Sequence, residues 1–392
     1  MAGSSLLLGA GVSVDAGIPT AINLTEKIYD KLQRFRGTSE AQLYGFVVAK
    51  ILTRNARLGQ SPFAKVNVEE VYDALKRFSR REDDPLNEFV TSWDDGLARP
   101  SLDTSKIKQK LNGLIQIDHR SPRGPSIKLD GWRLDDILNE FRQSIESNSP
   151  KMSLEVYVRA LAECLSPDKY NHEYLSKLTE YCAQQSDVVA TLNYDLLFEK
   201  NCDSNGYKYD YGLGRWRDRK TIRFSPETIK FIKIHGSINW FSHGDDVEID
   251  PEQKSNFKRA LIFGGQSDKL DPNGPYLNLR HEFQRIAQKT TTMGIIGYSF
   301  QDAHMNALLR SWISTKRRGK IVILEPGAQA SFLTNLGRWS TNKTDGSISV
   351  RVEVVHVKKT AAEGIGDFIS EMSLKPDLKR AADEPLGIRT IA

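Results

Sequence analysis

Three short segments of this sequence carry side chains suited to holding and cleaving a charged organic ligand. They are Gly9-Ala10-Gly11-Val12-Ser13, Thr191-Leu192-Asn193-Tyr194-Asp195 and His235-Gly236-Ser237. Small residues behind a strand let the backbone approach a diphosphate, and N–H groups at a following helix start favour the anion. The Asn193 amide offers a donor and an acceptor, enough to hold a sugar hydroxyl and a water. His235 is the residue type whose ordinary pKa suits a general base near neutrality. Each also has a plainer reading: a lone G-x-G fits a tight turn, Asn193 fits a helix N-cap, and His235 fits a structural histidine. Val14 stands where the dehydrogenase dinucleotide fingerprint has its third glycine, so that pattern fails.

The elements that must position these residues follow from apolar patterning. Ser4 to Leu8 is a short apolar run stopped by glycine, which predicts a buried parallel strand. Further runs at 188–192, 231–234, 260–263, 294–296 and 321–324 predict more buried strands, and 350–357 alternates as a late edge strand should. Helix is expected over Asn23 to Phe35, over Leu43 to Leu58 behind a Ser39/Gln42 capping box, and after Asn67. Segments 104–118, 134–147, 153–166, 171–185 and Ala303 to Ile313 also favour helix, with a Pro/Gly loop at 119–125. The expected fold is α/β: a doubly wound, Rossmann-like parallel sheet with a large helical insertion after the first strand. The corresponding boundaries are 1–19 for the first strand and its loop, 20–186 for the insertion, 187–375 for the rest of the sheet, and 376–392 for a polar, mobile tail.

The string Gly9 to Pro19 resembles the first NAD-binding motif of sirtuins, G-A-G-x-S-x-x-x-G-I-P. Thr191 to Asp195 resembles their T-Q-N-x-D motif, and His235-Gly236 their catalytic His-Gly. Gly297-Tyr298-Ser299-Phe300-Gln301-Asp302 is similar to the G-Y-S-x-x-D-x-H segment of bacterial sirtuin-like NADases. The resemblance implies catalysis by Asn193 and His235. It implies contacts to NAD+ from Gly9, Ala10, Gly11, Ser13, Ile18, Thr20, Asp195, Gly297, Tyr298 and Ser299. Glu325 fits an adenine-ribose contact, and equally helix capping or a turn before Pro326. Asp302 fits a cap for the next helix as well as a ligand contact, and no role is assigned to His304. Breaking the nicotinamide–ribose bond creates an oxocarbenium-like centre, as in other glycoside hydrolyses, and nicotinamide departs neutral without a general acid. The expected reaction is NAD+ hydrolysis to nicotinamide and ADP-ribose. A non-catalytic NAD or ADP-ribose binder and a deacylase or ADP-ribosyltransferase are the alternatives.

Two departures separate this chain from the deacylases. Thr20-Ala21-Ile22 replaces their Asp-Phe-Arg, and Cys164, Cys182 and Cys202 form no C-x-x-C pair, so the two-pair zinc module is not expected. The large insertion resembles that of antiphage NADases, which deplete NAD in infected cells. By that analogy a hexameric HerA-type ATPase is an expected partner, beside self-assembly through faces such as Leu43, Phe46 and Val47. A hydrophobic content of 39% excludes a disordered chain, and a net charge of +5 over 392 residues gives no reason to expect nucleic acid. The basic stretches 215–220 and 316–318 are expected as surface segments. No apolar run is long enough for a transmembrane helix and the N-terminus has no charged n-region, so a cytoplasmic protein without a leader is expected.

Overall fold

Strand β1 (Ser4–Leu8) is buried along its whole length and lies in the middle of the sheet that organises the molecule. The computed structural model describes residues 3–36, 38–61, 65–79, 115–118, 126–129, 154–166, 171–253, 258–263, 274–327, 352–379 and 388–391. After β1 and a 3-10 turn at Ala10–Ser13 come α1 (Ala21–Arg36), α2 (Thr38–Arg57) and α3 (Val68–Ser79). A hairpin of β2 (Ile115–Asp118) and β3 (Ser126–Leu129) follows, then α4 (Leu154–Cys164). Next are α5 (Ser176–Gln185), β4 (Ser186–Thr191), α6 (Leu197–Ser204), β5 (Tyr209–Asp210), the short α7 (Trp216–Arg219) and β6 (Ile229–Lys233). Strands β7 (Gly236–His243), β8 (Asp246–Ile249) and β9 (Arg259–Leu261) form a separate three-stranded antiparallel sheet. The chain closes with α8 (Tyr276–Ala287), β10 (Thr292–Ile296), α9 (Ala303–Thr315), β11 (Gly319–Leu324), β12 (Val352–Val357), α10 (Ala361–Ser373) and β13 (Ile388–Ile391).

The eight strands of the main sheet run in the order β13-β12-β11-β10-β1-β4-β6-β5, and every pairing is parallel. Strands β1, β10, β11 and β12 are buried at every residue, as in a parallel sheet covered on both faces. Helix α10 packs on β10, β11 and β12, while α8 packs on β1, β4 and β6. This is the doubly wound, Rossmann-like α/β sheet expected from the strand–helix alternation. The chain leaves β1 toward β4 on one side and returns to β10 on the other, so the switch in strand order falls at β1. A crevice opens at such a point, outside the carboxyl ends of the strands.

Helices α1 to α4 pack on one another as the insertion. Leu24, Ile28 and Leu32 are fully or nearly buried on one face of α1, with Tyr44, Val71, Leu75 and Tyr157 against them. Asn67 caps α3, its Oδ1 accepting the Glu69 N–H at 2.9 Å.

Several expectations need correction. Leu43 and Val47 are buried inside the subunit and Phe46 packs against its core, so this face of α2 is not an exposed docking surface. Helix α2 starts at Thr38, which puts Ser39 in the first turn and not at the cap. Residues 115–118 are a strand: Ile115-Gln116-Ile117-Asp118 alternates with period two and pairs with an equally alternating partner. The rest of 104–114, the loop 119–125 and 134–147 lie outside the described residues. Strand β9 belongs to the small sheet, because it pairs antiparallel with β7. Strand β12 is interior, since β13 pairs beyond it, and the tail taken as mobile supplies that edge strand. Glu371 on α10 ties the edge down, accepting bonds from Lys320 at 2.9 Å and Arg389 at 3.0 Å. Among the described residues no helix is long and apolar enough to cross a membrane.

Candidate functional site

Loops leaving β1, β4, β6 and β10 meet at the switch point and build one cleft of about 610 Å3. The β1 loop is locked to the β10 loop: Gly9 N–H donates to Ile296 O and Gly11 N–H to Gly297 O, both at 2.8 Å. The backbones touch there, so a Cβ on Gly9 would lie 2.6 Å from Gly297 O and one on Gly11 2.6 Å from Gly297 Cα. Gly297 itself has φ +61°, left-handed, with Val12 N only 2.4 Å from where a Cβ would be. The glycines thus serve a loop crossing as well as any ligand. The Gly9 and Gly11 N–H groups are used inside the protein, and the next α-helix begins only at Ala21.

Asn193 stands at the end of β4. Its Nδ2 donates to Gly9 O at 3.0 Å and to Ser13 Oγ at 3.1 Å. Gly9 O only accepts, so the nitrogen must face it, and Oδ1 remains as the acceptor this amide presents to the cleft. The Ser13 hydroxyl donates to Asp195 Oδ2 at 3.0 Å, and Asp195 Oδ1 accepts the Leu197 N–H at 3.0 Å. Burial pushes the Asp195 carboxyl above its ordinary range, against the opposing pull of Lys233 and these N–H and O–H bonds. Lys233, fully buried on β6, donates to Asp195 O at 2.5 Å and to Glu199 Oε1 at 2.8 Å. It therefore couples the Asn193 loop to the strand that carries His235.

His235 follows β6 and is 6% exposed, with its Nε2 3.4 Å from Asp302 Oδ2. Its carbonyl accepts the Ile262 N–H at 2.9 Å, which joins the main sheet to the small one. Gly236 has φ +83°, and a Cβ there would sit 2.3 Å from Ala260 O, so the turn behind the histidine requires glycine. Asp302 performs two tasks. Its Oδ1 caps α9, accepting from His304 N at 2.9 Å and Met305 N at 3.1 Å, while Oδ2 faces the histidine. The Tyr298 hydroxyl donates within its own loop, with Asp302 O and Asn306 Oδ1 each at 3.0 Å.

The motif residues Gly9, Ala10, Gly11, Ser13, Ile18, Thr20, Asn193, Asp195, His235, Gly297, Tyr298, Ser299 and Glu325 all line this cleft, and His304 does not. Glu325 closes one end at the tip of β11, its carboxyl pushed up by burial. Val68 and Glu69 from α3 also line the cleft, in the stretch Val68-Glu69-Glu70-Val71 through which the insertion weakly resembles the same family, and motif reading missed Asn67 beside them and Thr360 and Ala361 at the start of α10. The capping pattern after Asn67 located the helix, whose first turn lies 126 positions before Asn193 in the sequence. Cys182 and Cys202 are buried core residues, and burial pushes the Cys164 thiol up to about 11. Among the described residues there is no group of His, Cys, Asp and Glu side chains arranged to hold a metal ion. Lys316 is buried with its Nζ on Gln288 O at 2.5 Å, so this member of the second basic stretch is structural.

Fold and cleft define a Rossmann-like α/β protein with a ligand-sized crevice at the topological switch point. The family model described as a SIR2-like domain matches residues 187–340 of this chain. Among solved structures, a Sir2 homologue mutant in complex with 2′-O-acetyl-ADP-ribose is 11% identical, covering 98% of this chain and 94% of that one, with a TM-score of 0.38. A Sir2 homologue in complex with NAD is 12% identical, covering 97% and 90%, with a TM-score of 0.37. No curated protein matches the chain.

Proposed function

We propose that this chain is an NAD+ glycohydrolase, cleaving the nicotinamide–ribose bond to give nicotinamide and ADP-ribose. The observation that carries this reading is the Asn193 amide, whose nitrogen is spent on Gly9 O and Ser13 Oγ and whose oxygen stays available in the cleft that His235 also lines. The volume of about 610 Å3 lies in the range of cofactor-sized pockets. In this account Asn193 Oδ1 accepts a hydrogen bond from a ribose hydroxyl or the attacking water. The water oxygen bonds C1′ while the C1′–N bond breaks, its electron pair leaves with nicotinamide, and the water proton passes to His235. Asp302 aligns the imidazole from its place at the α9 cap. Asp195 and Ser13 hold the ribose side, and Glu325 takes the adenosine end.

Water is the proposed acceptor because the cysteines are spread singly over α4, α5 and the α6 helix, which leaves no paired ligands for the zinc module that frames an acyl-peptide cleft. An antiphage role through NAD depletion rests on the resemblance of the insertion. The competing reading is a binding subunit for NAD or ADP-ribose that lacks turnover. Incubating the purified chain with NAD+ and no peptide separates them: equal amounts of free nicotinamide and ADP-ribose support hydrolysis. Both products should vanish in Asn193→Ala and in His235→Ala, with the thermal midpoint within a few degrees of wild type. Near-wild-type turnover in either variant contradicts the assigned roles.

A further inference from the structure

The register between β4 and β6 ends at the pair Thr191–Lys233, where the Ile234 N–H donates to Thr191 O at 3.0 Å. Asn193 and His235 each lie two residues beyond that last pair, at matching positions on neighbouring parallel strands. Past that point the ladder no longer fixes the spacing of the two loops, and side chains take over. Lys233 Nζ donates to Asp195 O at 2.5 Å. From the other side of the histidine, the Ser237 hydroxyl donates to Tyr194 O at 3.3 Å, beside the Ile238 N–H at 3.0 Å. Lys233 and Ser237 are both completely buried, and they stand two residues before and two after His235. Both reach main-chain carbonyls in the two residues that follow Asn193.

The plain reading of Lys233 is half of a buried ion pair. Glu199 Oε1 lies 2.8 Å from its Nζ, and the Tyr211 hydroxyl donates to the same oxygen at 2.9 Å. A buried pair is weak ground for stability, because taking two charges out of water offsets most of their attraction, and apolar side chains of similar volume fill such a place as well. Pairing accounts for Glu199 as the counter-ion. It does not account for a second bond aimed at Asp195 O, beside the amide that the proposed reaction needs held still. On its opposite side the same loop is tied to β1, through Asn193 Nδ2 on Gly9 O and Ser13 Oγ. Strand β4 lies between β1 and β6, so the Asn193 loop is held from both neighbours.

We propose that Lys233 and Ser237 are positioning residues: they clasp the Asn193 loop to the His235 turn and so set the gap in which water attacks C1′. The proposal rests on the reading of the cleft as an NAD+ glycohydrolase site and deepens it. Neither side chain lines the cleft, so both act through the loops they join. Lys233 brings a charged, and therefore strong, donor to a main-chain carbonyl, and Glu199 neutralises it. Misplacing a reacting group by about 1 Å can cost about 100-fold in rate, so the clasp acts on turnover and not on affinity.

Steady-state kinetics with NAD+, beside thermal melting and ADP-ribose titration, separate positioning from mere support. Lys233→Met alone strands the Glu199 charge and should lower the thermal midpoint by about 5 °C or more. The double variant Lys233→Met/Glu199→Gln removes both charges and should melt within about 3 °C of wild type. Its kcat should still fall about 100-fold, with KM and ADP-ribose affinity within about threefold of wild type. Ser237→Ala keeps the Ile238 N–H on Tyr194 O, so it should fold as wild type does and lose about fivefold in kcat alone. It decides the matter should the double variant fail to fold. Tyr211→Phe loses a bond to Glu199 without touching the clasp and should match wild type. Wild-type kcat in the folded double variant or in Ser237→Ala overturns the proposal. So does a loss borne by KM and ADP-ribose affinity, or an equal loss of kcat in Tyr211→Phe. Any of these in an active enzyme defeats this proposal alone, whereas a wild type that releases no nicotinamide defeats the NAD+ glycohydrolase reading and this proposal with it.

Discussion

At the scale of single residues, the site is built by side chains that spend most of their hydrogen-bonding capacity on the protein. Asn193 donates both amide N–H groups to the β1 loop, Ser13 donates its own hydroxyl to Asp195, and Asp302 caps α9 through Oδ1 while its Oδ2 lies 3.4 Å from His235 Nε2. Such pre-spent groups cannot rotate freely, which holds the remaining acceptor of Asn193 in place. Asp195 shows the cost. Burial raises its pKa in the folded state, and a raised carboxyl contributes stability only below its unfolded value of about 3.9, losing it as pH rises through the folded pKa. At neutral pH its charge therefore opposes folding. Asp195→Asn should be at least as stable as wild type at pH 7, and the two melting curves should converge as pH falls toward 4. The same variant should bind ADP-ribose about tenfold more weakly, because the neutral amide is a poorer acceptor for a ribose hydroxyl. Lower stability at pH 7 would contradict this assignment of burial as the dominant influence. These residues were legible in the sequence as motifs. Their partners were not: the 3.4 Å approach of Asp302 to His235 joins positions 67 apart, and helix capping was an equally good reading of Asp302 alone.

At the scale of elements, the decisive feature is the contact between the loops after β1 and β10. Three glycines make the backbones touch, and two N–H···O bonds at 2.8 Å close the contact. Gly297→Ala must both adopt φ +61° and place a methyl 2.4 Å from Val12 N, so the loops have to separate. Denaturant unfolding should show a loss of about 2 kcal/mol or more, with weakened ligand binding, whereas stability within about 0.5 kcal/mol of wild type would mean that the crossing is slack. Buried strands and the amphipathic helices α1 and α3 were readable because their period reports which face is covered. The small sheet escaped because the same apolar run at 260–263 suits a parallel or an antiparallel partner, and only the fold supplies β7. Likewise β12 alternates like an edge strand, yet Ile388–Ile391 covers it, anchored through Arg389 on Glu371. Burial would raise the Glu371 carboxyl, but Arg389 and Lys320 together hold it below its ordinary range. That depressed group contributes stability above its unfolded pKa and loses it as pH falls through the lower folded value, so the clasp on β13 weakens only under acid.

At the scale of the whole molecule, the helical insertion and the parallel sheet share one site, since α3 and the strand-end loops line the same cleft. An uncontrolled NADase would exhaust its own cell, so restraint through self-assembly or a second protein, such as a HerA-type hexameric ATPase, remains our proposal for regulation. Its surface is not the Leu43, Phe46 and Val47 face, which the subunit itself covers. Light scattering behind size exclusion, run beside an NADase assay over a range of protein concentrations, should show specific activity rising with assembly. A monomer with full activity at every dilution and no response to a partner would end that idea. The account as a whole stands on water being the acceptor in this cleft. The most direct measurement is cleavage of NAD+ by the purified wild-type chain, with no peptide present, quantifying nicotinamide and ADP-ribose together and using Asn193→Ala and His235→Ala as blanks. The account predicts equimolar products from wild type and none from either variant. Bound but uncleaved NAD+ under every condition of concentration and assembly, or nicotinamide released only when an acylated peptide is added, would contradict it.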